Sequence, residues 1–203
     1  MISNAFAEKL SKTQAARQTD RALLMRPRLA QMPLPMQRYD DPFLPFSKAI
    51  IAATRDNICA YVFDFAAYLA LGAAGAVALE RSIAYAGADG ETITVLHGPF
   101  AHTGYAEAVG KHAFNADAVT VTDAALSEGF LREVGGVFVL SDRAGAAPDH
   151  LDSISVFDQS NARLTLAMPE RTIVIRILGD PVLYAGQGDD FAEQARRALE
   201  ATQ

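Results

Sequence analysis

Four apolar runs of strand length, Ile58 to Phe63, Thr92 to Leu96, Ala118 to Thr122 and Gly136 to Leu140, constrain this chain most. None alternates apolar with polar, as a strand with one wet face would, so each is expected to be covered on both sides. Between them lie stretches with helical character. Pro45 to Arg55 carries Phe46, Ala49, Ile50 and Ala53 at i, i+3, i+4, i+7 spacing, and Ala66 to Tyr85 is helical with a break near Gly72 and Gly75. Gly104 to Phe114 and Ala124 to Val134 are expected as two further helices. Strands that alternate with helices predict an α/β fold with a parallel sheet under a helical layer.

The last third breaks that rhythm. Arg163 to Met168 and Thr172 to Ile177 are strand-like, and only Pro169, Glu170 and Arg171 separate them. A parallel crossover needs on the order of a dozen residues, so these runs predict an antiparallel hairpin. Leu164, Leu166 and Met168 would share one face with Ile173, Ile175 and Ile177, leaving Thr165, Thr172 and Arg176 on the other. A terminal helix over Asp189 to Glu200 follows, its two aspartates suited to a helix N-terminus. At the other end a helix over Asn4 to Arg17 leads into Leu23-Leu24-Met25 and a proline-punctuated path through Pro27, Pro33, Pro35 and Pro42. The expected organisation is one domain over 1–203: an entry segment 1–42, βα units over 43–150, and a remodelled hairpin with terminal helix over 151–203.

Charge and cysteine content exclude several classes. A net charge of −6 gives no basic surface for phosphate neutralisation, so no nucleic-acid partner is expected. The longest apolar stretch, Phe65 to Leu79, is too short to span a bilayer and holds two glycines; no apolar leader is evident, and a cytoplasmic protein is the expectation. The single cysteine, Cys59, excludes a disulfide framework and reads as a buried, inert thiol.

Several blocks carry a family likeness. Asp41 to Thr54, Cys59-Ala60-Tyr61, Tyr68 to Gly75, Ala116 to Val121, Gly136 to Leu140 and Pro181 to Ala192 together resemble orotidine 5'-phosphate decarboxylase. The likeness is good over 41–150, fair over 178–200 and faint over 5–40. It implies a (β/α)8 barrel, usually dimeric, that makes UMP from OMP without a cofactor. A lysine there protonates the carbon that loses carbon dioxide, inside an array of alternating lysines and aspartates at the C-terminal strand ends.

The implied functional positions are substituted here. Where the family reads Ala-Tyr-Lys-Pro-Asn, this chain reads Ala60-Tyr61-Val62-Phe63-Asp64, so Val62 replaces a lysine. Where the family carries Asp-x-Lys-x-x-Asp, this chain has His97, Pro99 and His102. The segment at Met25-Arg26-Pro27 lacks the family's ribose-binding aspartate, and the phosphate-binding arginine falls on Asp180. The length after Leu140 is too short for three further βα units, so a truncated or remodelled barrel is expected; its closure stays open at this point, and a sheet edge or an apolar surface left by truncation would call for a partner to cover it.

Three functional readings follow. The first is a catalytically inactive relative, a pseudoenzyme, that acts as a binding or structural subunit of a homodimer or with a protein partner. The second is an enzyme of another reaction on a phosphorylated or sugar-like small molecule, with His97, His102 and Asp142 as ligand-binding candidates. The third is OMP decarboxylase of pyrimidine biosynthesis with substitute residues. No cofactor is expected. No metal site is expected either, since His97 and His102 match no metal signature with a third ligand. Asp142-Arg143 reads as a surface turn and Gly186-Gln187-Gly188 as a helix cap.

Overall fold

The uninterrupted apolar runs form parallel strands covered on both faces. In a computed structural model that describes residues 3–141, 155–158, 162–167 and 171–202, eight strands close into one barrel in sequence order. They are β1 (Arg21–Met25), β2 (Ala60–Asp64), β3 (Ile93–Phe100), β4 (Ala118–Val121), β5 (Gly136–Ser141), β6 (Ser155–Asp158), β7 (Arg163–Ala167) and β8 (Thr172–Leu178). β1 to β6 pair in parallel. β7 runs against both its neighbours, and β8 returns parallel to β1.

The expected hairpin is present, with Leu164 opposite Ile175 and Leu166 opposite Ile173. Its burial alternates: Leu164, Leu166, Ile173, Ile175 and Ile177 are buried inside the barrel, while Thr165 and Val174 are half-buried and Thr172 and Arg176 exposed. Met168 and the residues of the turn lie outside the described residues. The barrel closes, so of the two features a truncated barrel could leave for a partner, the open sheet edge is ruled out. A strand the sequence reading missed, β6, joins β5, and β8 pairs with β1 through Arg21–Arg176, Ala22–Ile177 and Leu23–Leu178. Two reversals restore the original direction, so closure needs no crossover helix after β6.

Strand residues sort by parity. Ala22, Leu24, Ala60, Val62, Ile93, Val95, Ala118 and Phe138 pack together in the interior. Leu23, Met25, Tyr61, Phe63, Leu96, Val119 and Val137 pack outward under the helices. Cys59 is buried with the interior set; burial pushes its thiol up to about 12, which keeps it protonated and inert.

Helix α1 (Asn4–Arg17), capped by the Ser3 hydroxyl, closes the N-terminal end of the barrel. Its Phe6, Ala7 and Leu10 join the interior cluster, and Phe6 meets Phe138 edge-on at 6.3 Å. A Cβ on Gly136 would lie 2.8 Å from the Phe6 ring, so this plug requires a glycine there. The proline-rich path after β1 is more compact than expected, with two 3-10 turns that bury Met32 and Met36.

α2 (Phe43–Thr54), α3 (Phe65–Leu69), α4 (Gly72–Ala86), the one-turn α7 (Asp180–Leu183) and α8 (Phe191–Ala201) cover part of the outer face, and α2 packs against both α4 and α8. The helices expected over 104–114 and 124–134 shrink to α5 (Ala106–Val109) and α6 (Ser127–Phe130). Gly110 ends the first as its C-cap and Gly104 lies in the 3-10 turn before it, positions where glycine costs backbone entropy in a helix. Among the described residues no helix is long and apolar enough to cross a membrane.

The α3–α4 corner depends on two glycines. Gly72 has φ +62°, and a Cβ on Gly75 would lie 1.8 Å from the Tyr68 carbonyl oxygen. Gly75→Ala should therefore destabilise by about 3 kcal/mol and lower Tm by roughly 10 °C for a chain this size. Gly87→Ala is the control, because its Cβ would meet only Thr94 Cγ2 at 3.8 Å. Equal melting of the two variants would refute the corner argument.

At the N-terminal end Asp89 ties α1 to the loop before β3. Burial opposes its ionisation, but hydrogen bonds from the Thr92 hydroxyl and backbone, the Glu91 N–H and Arg17 outweigh it and hold the carboxyl near about 2. Since the folded value lies below the ordinary 3.8, this contribution is present above pH 3.8 and lost as pH falls towards 2. Asp89→Asn should lower the urea midpoint at pH 7, with the gap from wild type narrowing steadily below pH 3.8. A gap independent of pH would contradict the linkage.

Candidate functional site at the barrel mouth

The interior parity that buries valine and isoleucine deep in the barrel changes character at the C-terminal strand ends. Met25 pairs with Phe63, Asp64 with His97, and Leu96 with Val119. One step along from two of these pairs, Arg26 neighbours Asp64 and Thr120 neighbours His97. Arg26, just past the end of β1, and Asp64, His97 and Thr120 on the next three strands thus form a polar arc, directly above Leu24, Val62, Val95 and Ala118. Catalytic and binding groups of such barrels come from these strand ends.

Each member is held. Asp64 caps α3 by accepting the Ala67 N–H at 3.0 Å through Oδ1, and its Oδ2 accepts Arg26 Nε at 2.9 Å. The pair is unevenly buried, the Asp64 side chain 15% exposed and Arg26 34%. A register shift between Leu96 and Phe100 interrupts the β3–β4 ladder. Thr120 bridges that gap: its Oγ1 accepts the Gly98 N–H at 3.0 Å and donates to the Gly98 carbonyl at 3.0 Å. His97 Nδ1 lies 3.1 Å from the same oxygen. The Phe157 ring stands almost perpendicular to the imidazole at 4.9 Å. Burial pushes the His97 pKa below 6.5; Asp64 pulls it back up and Arg26 pushes it further down.

A second layer braces this arc. Tyr184 donates its hydroxyl to the Arg26 carbonyl and accepts the Arg28 N–H, each at 2.8 Å. Arg28 pairs with Asp180 at 2.9 Å. Tyr184 stacks on Phe46, which in turn stacks on Phe191, so the loop after β1 is fastened to the C-terminal helices.

The substituted positions are distributed unevenly. Val62 is fully buried in the barrel interior, below Asp64. His97 enters the arc, and Pro99 lies within the bulged stretch of β3. His102 is exposed and spends Nδ1 on the Gly104 N–H at 2.9 Å, capping a 3-10 turn, so it and His97 occupy different environments. Asp180 is engaged by Arg28. Asp142 lies outside the described residues. Phe63 and Tyr68 are buried, and Leu69 is 36% exposed.

Arg26, Asp64 and Thr120 were not singled out as site residues. The signal for Asp64 existed, as a charged residue ending an apolar strand before a helix; Arg26 and Thr120 become visible only through strand register. Among the described residues no three His, Cys, Asp or Glu side chains converge as a metal site. Concavities of about 460 and 490 Å³ lie at the opposite, N-terminal end, one by Lys9, Asp117 and Glu133 and one by Asp20 and Arg176.

No protein-family model matches the chain. Over 78 residues it is 40% identical to orotidine 5'-phosphate decarboxylase of Herpetosiphon aurantiacus and 37% identical to that of Thermomicrobium roseum. The matched stretches cover 37% and 38% of this chain and 29% and 28% of those relatives, so the likeness spans under a third of their length. Among solved structures, a Toxoplasma gondii protein assigned as orotidine-monophosphate decarboxylase superposes with a TM-score of 0.58 at 27% identity, over 73% of this chain and 52% of its own. A Streptomyces avermitilis protein of the same assignment has a TM-score of 0.65 over 98% of this chain and 94% of its own; at 18% identity it speaks for the fold. Through the matched stretch the chain is similar in sequence to the orotidine 5'-phosphate decarboxylases, and over most of its length it is similar in fold to the solved structures.

Proposed function

We propose that this chain keeps the decarboxylase barrel without the decarboxylation, and that its mouth serves as a small-molecule binding site. The observation that carries this reading is where the lysines are. The chain has four: Lys9 and Lys12 on α1, Lys48 on α2 and Lys111 in the exposed turn after α5. Lys9 is paired with Asp117 at 2.7 Å at the N-terminal end, and Lys48 lies over the Tyr85 ring. No strand contains a lysine.

The reaction implied by the family likeness needs a cation that gives a proton to carbon. An arginine guanidinium does not give up its proton in proteins, so it cannot act as that acid. His97 is held towards its neutral form by burial, which makes it a poor acid at pH 7. Loss of the donor removes the transition-state stabilisation on which such chemistry depends.

The same reading assigns the exposed Leu29, Leu34 and Tyr105, on the loops after β1 and β3, to contact with a second copy or a protein partner. A monomeric mass in concentrated solution would remove that part. A second reading, another reaction at the same mouth, draws on His97 as a neutral base beside Asp64.

Purified protein incubated with OMP should yield no UMP above the protein-free control. Product formation that disappears in His97→Gln or Arg26→Gln would overturn the proposal and restore decarboxylation with substitute residues.

A further inference from the structure

The hydroxyl of Thr120 has one proton, and its surroundings decide where that proton goes. Its oxygen lies 3.0 Å from the Gly98 carbonyl, which can only accept, so the proton must lie between these two oxygens. Thr120 Oγ1 then has only acceptor capacity left, which it offers to the Gly98 N–H and to His97 Nδ1. Nδ1 must therefore carry hydrogen. In the neutral imidazole this leaves the lone pair on Nε2, which has no hydrogen-bond partner among the described residues. Arg26 is fixed by a similar accounting. Its Nε is spent on Asp64, while Nη1 and Nη2 have no partner among the described residues. Both Asp64 oxygens are occupied, one by Arg26 and one by the Ala67 N–H.

The arc thus presents two planar donors at Arg26 and one acceptor at His97, with a neutralised carboxylate between them. β1 and β3 are separated by one strand, roughly 10 Å between backbones, and their inward side chains shorten that gap to metabolite size. Arg26 and Asp64 cancel in charge, and Arg28 is already paired with Asp180. A monoanion therefore suits this mouth better than a phosphate dianion. A carboxylate matches the guanidinium edge, and an N–H or O–H donor matches Nε2.

We propose that the Arg26–Asp64–His97–Thr120 arc binds a small hydroxy acid, its carboxylate on Arg26 Nη1 and Nη2 and its hydroxyl donating to His97 Nε2, with Thr120 as the positioning residue that fixes the imidazole. This rests on the binding role proposed for the mouth and supplies its ligand class. Burial of His97 supports it, since the acceptor form persists at neutral pH.

Two measurements test it on the full-length protein. Nitrogen-15 NMR of the histidine side chains should show neutral His97 with hydrogen on Nδ1. Thr120→Val should shift that tautomer balance, and the wild-type spectrum alone is decisive if the variant does not fold. A wild-type Nε2–H tautomer would overturn the proposal. Calorimetric titration with 3-hydroxybutyrate, 4-hydroxybutyrate, butyrate and inorganic phosphate reads the ligand class. One recovered hydrogen bond predicts about tenfold tighter binding of the better hydroxy acid than of butyrate. Arg26→Lys, which keeps the charge and loses the fork, should weaken both acids. Equal affinity for hydroxy acid and butyrate, tighter binding of phosphate, or no binding of either hydroxy acid would each overturn it. None of these outcomes touches the claim that the chain does not decarboxylate OMP, which the UMP assay decides separately.

Discussion

Closure of β8 onto β1 is the constraint on which everything else in this molecule depends. A parallel barrel must deliver its last strand in the same direction as its first, or the seam between them cannot form in this register. Repeated βα units achieve this with a helix at every step. Here β6, β7 and β8 achieve it with two reversals, because an even number of reversals restores direction. Once the seam forms, no edge remains to template association, and the interior parity is fixed around the whole circumference.

That parity ties packing to the site. Leu164, Leu166, Ile173 and Ile175 fill the interior opposite the valines and alanines of β2 to β4, each worth on the order of 2 kcal/mol when buried. A slip of one residue would turn all of them outward. The polar arc continues the same inward parity, one step beyond the apolar layers: Asp64, His97 and Thr120 lie on strands and Arg26 is the first residue after β1. Tyr184 and the Phe46–Phe191 stack then fasten the loop after β1, which holds Arg26 against Asp64. The opposite end is organised for stability: α1 plugs the interior with Phe6, while Lys9–Asp117 and Arg17–Asp89 pin it to the segments just before β4 and β3.

Much of this was legible residue by residue. The dry runs at 58–63, 92–96, 118–122 and 136–140 announced parallel strands because a strand covered on both faces has no use for polar alternation. The alternation after Arg163 announced a strand pair with one half-exposed face, and the short spacer ruled out a crossover. β6 was missed because Ser155–Asp158 is a short strand with little apolar pattern, and only its two neighbours make it one. The helices over 104–114 and 124–134 were expected too long; each is a 3-10 turn followed by about one helical turn, and Gly110 ends the first.

The site divides the same way. His97, Pro99 and Val62 could be placed by likeness to a family motif, and that His97 and His102 part company follows from one being a strand residue and the other a cap. Arg26 and Thr120 carry no local signal, since an arginine after a short strand and a threonine inside one are ordinary in any α/β chain. The sequence by itself determined which residues could pack, where direction must reverse, and that Val62 and Pro99 stand where the family likeness implies lysines. Tertiary structure alone decided that Arg26, Asp64, His97 and Thr120 share one rim. Register between strands distant in sequence is set only when the barrel closes, and no local pattern encodes it.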